Sequence, residues 1–210
     1  MATQTKIIIA GCGPGSPDLI PPAVAQAADR ADVLAGTPHL LSLFPDSKAE
    51  HIVFESKIEP MLAALDGKRA LNIVVLVTGD PGICSLAKPV IKHFGRAACT
   101  VIPGISSIQA AFARIGTDWL DARVINAHDL PPSLNPAAVA ASPKIAVLCG
   151  SNKGLPWLQE LAGLVPDHGI FLCENLSLPD ERVNEVTPET LGRACPALKT
   201  VCLLIRKDLI

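Results

Sequence analysis

The chain has 210 residues, of which 49% are hydrophobic and 18% charged, and its formal net charge is −2. This composition excludes an intrinsically disordered protein, because disordered chains are poor in apolar residues and strongly charged. Nucleic-acid binding is also disfavoured, because it depends on basic surfaces and aromatic stacking, whereas only 3% of this chain is aromatic. No run reaches the ~20 apolar residues that cross a bilayer, and no secretory signal precedes the first apolar run. We therefore expect a cytoplasmic protein that binds neither nucleic acid nor membrane.

The seven cysteines form neither a metal-binding nor a disulfide pattern. None of them are paired as CxxC, and most lie in apolar runs such as 145–149 and 201–205. Reduced thiols in such runs behave as small hydrophobic side chains. The sequence thus predicts reduced core cysteines and no metal site.

Short apolar runs alternate with helix-length segments along most of the chain, which is typical of an α/β fold. Several runs are continuous in Val, Ile and Leu, as in parallel strands buried on both faces, so mainly parallel sheets are predicted. The predicted strands are Lys6–Ala10, Asp32–Ala35, His51–Phe54, Asn72–Thr78, Thr100–Ile102, Arg123–Asn126, Lys144–Cys149, Gly169–Cys173 and Thr200–Arg206. The predicted helices are Pro22–Ala31, Ile58–Leu65, Leu86–Phe94, Ser107–Ile115, Ala137–Ala141, Leu155–Leu164 and Pro188–Ala194.

A proline-rich segment near the middle of the chain indicates a domain boundary. Residues 130–143 contain prolines at positions 131, 132, 136 and 143, and the turn residues 116–118 precede them. Proline interrupts helices and central strands, so such a segment is a plausible connection between domains. We predict an N-terminal α/β domain over residues 1–118 and a C-terminal α/β domain over residues 119–210.

The first of three strand-end loops is Gly11-Cys12-Gly13-Pro14-Gly15. Its glycines permit positive φ angles and a close approach of backbone to a ligand. The loop does not complete the GxGxxG fingerprint of dinucleotide-binding enzymes, because Ser16 stands where the third glycine belongs. A plain tight turn is the alternative.

Two further loops, 78–82 and 103–107, follow apolar strands in the same way. Open α/β sheets bind ligands outside the carboxyl ends of their strands, and the Asp80 carboxylate suits ribose hydroxyls or a cationic group. The alternative is that 80–82 is a plain turn and that Asp80 caps the following helix. Ser106 and Ser107 suit either helix capping or contact with an adenosine. Together the three loops place small residues at three strand ends, as one extended small-molecule site requires.

In this order, the loops and their flanking segments resemble the tetrapyrrole (corrin and porphyrin) methyltransferases. Two blocks, PGISSxQxAxARxG and ENLxxPDER, are most similar to the branch that methylates C5 of cobalt-precorrin-7 and to the equivalent half of the fused precorrin-6Y C5,15-methyltransferase. The matching segments are GCGPGSPDL at 11–19, VTGDPGICS at 77–85, VIPGISSIQAAFARIG at 101–116, VLCG at 147–150, CENLSLPDERV at 173–183 and PALKTVCLLI at 196–205.

The resemblance implies a C-methyltransferase of cobalamin biosynthesis that uses S-adenosyl-L-methionine (AdoMet) and releases S-adenosyl-L-homocysteine. It also implies two small α/β domains with the active site in the cleft between them, and a homodimer. Methyl transfer from a sulfonium to an electron-rich carbon needs orientation and exclusion of water more than an acid or base, so no catalytic nucleophile is expected. Carried over position by position, the AdoMet pocket comprises Pro14, Thr78, Gly79, Asp80, Ile83, Ser106, Ser107, Cys149, Leu176 and Ala197.

A corrin precursor carries several carboxylates, which positive side chains are expected to bind. An ordinary ion pair is the alternative for each candidate, and one of them, His128, could also accept a proton from the methylated product. The sequence departs from the family at Ser16, where an Asp is usual, and at 126–129, where the branch has His-Gly-Arg. These departures concern the choice of substrate. The candidates are Arg114, Arg123, His128 and Lys153.

Two other classes of function remain open. One is a methylase of the same fold that acts on another precorrin position, on RNA or on a protein. The other is a non-catalytic AdoMet-binding module, against which the three intact loops argue. The resemblance further implies that a separate enzyme methylates C15 and removes a carboxyl group. The sequence does not indicate whether the substrate carries cobalt.

Overall fold

The computed structural model describes residues 7–54, 57–128, 130–150, 152–191 and 199–210. The chain divides into two compact units, Met1–Ser106 and Ser107–Ile210. The predicted boundary after residue 118 differs from this division by one helix, Ser107–Ile115, which contacts the last strand of the second unit. Among the described residues, no helix is both long enough and apolar enough to cross a membrane.

The first unit contains a five-stranded sheet in which every pair of neighbouring strands is parallel. Its strands are β1 (Ile7–Gly11), β2 (Val33–Gly36), β3 (Glu50–Val53), β4 (Ile73–Val77) and β5 (Cys99–Ile102), in the order β3-β2-β4-β1-β5. Its helices are α1 (Pro22–Asp29), α2 (Pro38–Leu41), α3 (Ile58–Asp66) and α4 (Ala87–Phe94).

Helices cover both faces of this sheet, because its strands direct apolar side chains to either side. Ile9 belongs to a core that includes Leu65 of α3 and Val90 of α4. Ala10, the next residue of β1, belongs to the opposite core with Val24 of α1. Each fully buried aliphatic side chain contributes roughly 1.5–3 kcal/mol to stability. The continuous apolar runs in the sequence therefore correspond to strands buried on both faces.

The connections that leave β1 and β4 run in opposite directions along the sheet. After β1 the chain crosses to β2 through α1 on one face, and after β4 it crosses to β5 through α4 on the other face. Right-handed crossovers require this alternation of faces when the direction reverses. The neighbouring strands β1 and β4 thus form a topological switch point, where open α/β sheets bind their ligands.

The second unit contains another five-stranded sheet, in which the pairing is mixed. Only β6 and β7 are parallel among its described pairs, and the other neighbours are antiparallel. Its strands are β6 (Arg123–Ala127), β7 (Lys144–Cys149), β8 (His168–Glu174), β9 (Arg182–Val186) and β10 (Thr200–Arg206), in the order β6-β7-β10-β8-β9. Its helices are α5 (Ser107–Ile115), α6 (Leu155–Leu164) and α7 (Pro188–Leu191).

The α/β class predicted from the sequence is confirmed, and so is parallel pairing in the first sheet. The prediction of a mainly parallel second sheet is wrong, because β10 returns between β7 and β8 in the opposite direction. All three of these strands are almost entirely buried. A central antiparallel strand that is covered on both faces has the same continuous apolar sequence as a parallel one.

Three elements differ from the predicted list for local reasons. Strand β9 was missed because it is a largely exposed edge strand with the polar sequence RVNEV. Helix α2, which spans only four residues, was also missed. The helix predicted over Ala137–Ala141 is a 3-10 turn over Pro136–Ala138. The predicted ends at Lys6 and Ala194 lie outside the described residues.

The prediction of buried cysteines is confirmed for four thiols, while Cys99 is half-buried and the prediction is wrong for Cys84. Cys84 is exposed, because it lies in the loop after β4 with a φ of 45° rather than in an apolar strand. Burial raises the pKa of the Cys12 thiol to about 12, so this thiol stays neutral and unreactive near neutral pH. Cys195 lies outside the described residues. The buried thiols are Cys12, Cys149, Cys173 and Cys202.

Candidate active site

Three strand-end turns of the first unit contact one another. They follow β1, β4 and β5, which are neighbours in one parallel sheet, so their carboxyl ends lie at the same edge. The backbone N–H of Gly79 donates to the carbonyl oxygen of Gly13 over 2.7 Å, and the two residues form an isolated bridge. Both glycines have positive φ angles, 79° at Gly13 and 70° at Gly79. Glycine is therefore required where the first two turns meet.

The third turn approaches the other two more closely than any side chain would allow. A Cβ atom on Gly104 would lie 2.4 Å from the carbonyl oxygen of Gly79 and 2.5 Å from that of Gly11. A Cβ atom on Gly11 would in turn lie 2.6 Å from the backbone nitrogen of Gly104. These neighbours are backbone atoms, so they cannot move aside as a flexible side chain would. The absence of side chains at Gly11 and Gly104 is what allows the three turns to converge.

The Asp80 carboxylate links the second turn to the third. Its Oδ1 atom accepts a hydrogen bond from the N–H of Gly82 over 2.7 Å, and its Oδ2 atom accepts one from the N–H of Gly104 over 3.2 Å. The side chain is half-buried. Asp80 thus stabilises its own turn and links it to the third turn. It does not cap the following helix, which begins at Ala87 with Leu86 as its N-cap.

The predicted AdoMet-binding residues of the first unit lie at this one edge of the sheet. Pro14 and Gly79 are buried, Ile83 is half-buried like Asp80, and Thr78 is exposed. Ser106, at the end of the third loop, is buried, with 2% of its surface exposed. The six residues are brought together by the fold, and their contact with AdoMet stays a prediction. They are Pro14, Thr78, Gly79, Asp80, Ile83 and Ser106.

A second cluster of predicted residues lies at one edge of the second sheet. Thr200, the first residue of β10, pairs with Cys149 at the end of β7 and with Glu174 at the end of β8. Ala127, at the end of β6, pairs with Cys149 from the other side. The carboxyl ends of β6, β7 and β8 therefore lie in one row, and Leu176 follows two residues beyond Glu174.

The side chains in this row are suited to forming an apolar wall. Cys149 is 4% exposed and Leu176 is 3% exposed. Burial raises the pKa of the Cys149 thiol to about 12, so the side chain stays uncharged and serves as a small hydrophobic group. Two further residues were predicted to bind AdoMet. Ser107 is the first residue of α5, and Ala197 lies outside the described residues.

The four predicted substrate residues are not all in one place. His128 and Lys153 follow β6 and β7 at the row just described, and the His128 ring packs on Gly150, where a Cβ atom would lie 2.2 Å from the ring. Arg114 forms a forked ion pair with Glu181.

Arg123, the fourth candidate, lies at the opposite end of β6, where its Nη1 donates to the carbonyl oxygen of Ala138 over 2.9 Å. The guanidinium groups of Arg114 and Arg123 are thus held by a carboxylate and by a backbone carbonyl of the protein.

Sequence reasoning missed several residues on which this arrangement depends. Glu181 was quoted only as part of the ENLxxPDER block, because its partner Arg114 lies 67 positions away. The close contact of His128 with Gly150 was missed for the same reason. The glycines at 11 and 104 were recognised as turn residues, and their mutual contact would have followed from placing β1 beside β5.

The profile of the family "Tetrapyrrole (Corrin/Porphyrin) Methylases" matches residues 6–192 of the chain. The match extends over both units and includes the three turns and the row of strand ends. The chain therefore belongs to the tetrapyrrole methylase family.

A cobalt-precorrin-7 C(5)-methyltransferase of Salmonella typhimurium is 30% identical over 180 residues, which cover 85% of this chain and 89% of the relative. Two solved structures share the fold. A cobalamin biosynthesis precorrin-6Y methylase from Archaeoglobus fulgidus superposes with a TM-score of 0.73 at 21% identity, covering 96% of this chain and 98% of the other. A uroporphyrin-III C-methyl transferase from Thermus thermophilus, complexed with S-adenyl homocysteine, has a TM-score of 0.77 at 21% identity, covering 95% and 92%.

Proposed function

We propose that the protein transfers the methyl group of AdoMet to C5 of a corrin precursor, either cobalt-precorrin-7 or its metal-free counterpart, in cobalamin biosynthesis. The observation that carries this proposal is the convergence of the turns after β1, β4 and β5 at a topological switch point, in a chain of the tetrapyrrole methylase family. The Salmonella relative, which this chain covers almost fully, supports C5 as the position.

The residues of the first unit fit a ligand such as AdoMet. The turns around Gly13, Gly79 and Gly104 are packed together at the carboxyl edge of the sheet, where open α/β sheets bind their ligands. The Asp80 carboxylate, already held by two N–H groups, is a fixed acceptor for ribose hydroxyls or for positive charge. When bound, AdoMet supplies an activated methyl group. These turns would hold it in place and keep the Asp80 carboxylate aligned.

The second unit contains an apolar row of strand ends and two of the predicted substrate residues. Cys149 and Leu176 are buried and uncharged, so they would exclude water from the sulfonium without competing for the methyl group. His128 and Lys153 follow strand ends in the same row, and because of this position we retain them for substrate carboxylates. Arg123 lies at the opposite end of β6, and Arg114, which pairs with Glu181, is given a different role below.

The proposal extends to assembly, location and pathway context. We infer a homodimer from the sequence resemblance, and we retain the cytoplasmic location that the sequence led us to expect. The methylation of C15 and the accompanying decarboxylation would belong to a separate enzyme. The name of the Salmonella relative, which mentions C5 alone, supports this assignment.

A competition assay tests the function class. The purified protein is incubated with AdoMet labelled in its methyl group, together with a precorrin preparation, with ribosomal RNA or with both. We expect label to enter the tetrapyrrole fraction and not the RNA. Label in RNA would favour the RNA methylase alternative. AdoMet binding by calorimetry without any transfer of label would favour a non-catalytic binding module.

A further inference from the structure

The loop between β8 and β9, residues 175–181, holds Leu176 in a strained conformation. Asn175 and Ser177, on either side of Leu176, have φ angles of 49° and 66°. This left-handed region is unfavourable for residues with a side chain, and serine has less tendency to adopt it than asparagine. Such conformations persist only where surrounding contacts impose them.

Those contacts come from the end of the same loop. A carboxylate oxygen of Glu181 accepts a hydrogen bond from the backbone N–H of Ser177. The Asn175 side-chain amide donates to Asp180 over 2.6 Å, and the N–H of Leu178 donates to the carbonyl oxygen of Asn175 over 2.9 Å. The loop is thus closed on itself on both sides of Leu176.

Arg114, on the last turn of α5, fixes the Glu181 carboxylate from outside the loop. Its Nε donates to Oε1 and its Nη2 donates to Oε2 over 3.1 Å, so the guanidinium holds both oxygens. Side-chain hydrogen bonds from Arg114 lower the pKa of Glu181, which keeps the carboxylate ionised near neutral pH. Forked pairs of this kind are geometrically specific as well as strong. Because α5 packs on β10, Arg114 connects the loop to the body of the unit.

We propose that Arg114 and Glu181 are positioning residues that hold loop 175–181 in the conformation in which Leu176 contacts the methyl donor. This inference rests on the proposed function, in which Leu176 lines the AdoMet pocket. It gives Arg114 a different task from the binding of substrate carboxylates that the sequence suggested. The Glu181 carboxylate occupies the guanidinium fork that such a substrate group would need.

The two roles of Arg114 predict different kinetics. If Arg114 positions the loop, then Arg114→Gln and Glu181→Gln should each weaken AdoMet binding about tenfold, since each removes a charge-assisted hydrogen bond. The double variant should bind AdoMet no more weakly than either single variant, because the two residues act as one unit. The kcat at saturating AdoMet should change much less than the KM for AdoMet. Arg114→Lys, which keeps the charge but not the fork, should lie between wild type and Arg114→Gln.

The matched control is a second forked pair in the same unit. Arg206 holds Asp208 through Nε over 2.6 Å and through Nη2 over 3.0 Å, at the far end of β10 from the strand-end row. Arg206→Gln removes an equivalent surface ion pair without touching the loop. It should leave AdoMet affinity within about twofold of wild type, because exposed pairs contribute little. Thermal unfolding of all variants separates loss of binding from loss of folding.

Hydrogen exchange tests, without any ligand, whether the Arg114–Glu181 pair holds the loop. The amides of Ser177 and Leu178 should exchange faster in Arg114→Gln than in wild type or Arg206→Gln. Unchanged exchange at Ser177 would show that the pair does not hold the loop, and it would overturn the proposal. A rise in the KM for the tetrapyrrole alone in Arg114→Gln, with Glu181→Gln silent, would also overturn it and would return Arg114 to the substrate. If wild type binds no AdoMet, the proposed function fails, whereas the exchange result still decides whether Arg114 holds the loop.

Discussion

At the residue scale, the Asp80 carboxylate has two tasks that can be separated experimentally. It stabilises the protein by accepting the N–H groups of Gly82 and Gly104, and we propose that it also contacts the methyl donor. Asp32 performs only the first task, because its Oδ2 accepts the N–H of Asn72 over 2.8 Å at the amino end of β4, the opposite edge of the same sheet. The two aspartates therefore form a matched pair.

Asp80→Ala should lower the free energy of unfolding by about 1–3 kcal/mol, because two backbone donors lose a charged acceptor. It should also weaken AdoMet binding at least about tenfold. Urea unfolding and calorimetry at the same pH measure the two effects.

Asp32→Ala should lower stability by a comparable or smaller amount and leave AdoMet affinity unchanged. Equal losses of affinity in both variants would mean that Asp80 acts through stability alone, and the direct contact with the donor would be rejected.

The residue scale also shows what sequence reasoning achieved. The loop 78–82 was predicted to follow a strand, and the resemblance predicted that its Asp80 lies in a ligand pocket. The position of Asp80 at the carboxyl edge of the sheet is as expected. Its bond to Gly104 spans 24 positions and depends on β1 separating β4 from β5, which no local pattern indicates. The partner of Arg114 was missed for the same reason, so its predicted role followed from charge alone.

At the element scale, the three turns of the first unit form one structure only because glycine stands where their backbones cross. Gly104 is the tightest point, with two carbonyl oxygens within 2.5 Å of a Cβ atom placed there. Gly67, at the end of α3, is the contrasting case, since the nearest atom to its hypothetical Cβ is a carbonyl oxygen at 3.8 Å and its φ is −69°.

Gly104→Ala should destabilise the protein by roughly 1–3 kcal/mol or more, because rigid backbone must move to admit the methyl group. AdoMet binding should be lost with it, since the turns can no longer converge. Gly67→Ala should be neutral or stabilising by up to about 1 kcal/mol. Chemical denaturation of both variants checks these values. A Gly104→Ala protein with wild-type stability and affinity would show that the close approach is not needed.

The bounds of strands and helices were predicted best where a segment has a clear apolar or amphipathic pattern. β7, β10, α5 and α6 have the bounds that the sequence predicted, because each is a long apolar or amphipathic segment with clear ends. Parallel or antiparallel pairing could not be predicted in the second unit, since an apolar run indicates that a strand is buried and not the direction of the strand beside it. The edge strand β9 gave no apolar signal at all.

At the scale of the whole molecule, family membership rests on the full length of the match rather than on any one loop. The profile spans residues 6–192, and the segments that resemble the family occur in both units. The fold class and the family were therefore predictable from the sequence. The position of methylation was predictable only through the similarity of two blocks, because general physical rules relate sequence patterns to burial and turns and not to one carbon of a macrocycle.

The most direct test of the central claim is the position of the transferred methyl group. The protein is incubated with AdoMet carrying a ¹³C-labelled methyl group and with cobalt-precorrin-7 or the metal-free precursor, and the product is analysed by mass spectrometry and NMR. We predict a gain of one methyl group per macrocycle, with the labelled carbon bonded to C5. A labelled methyl group on any other carbon, or a tetrapyrrole that gains no label while the protein is folded and AdoMet is in excess, would contradict the account.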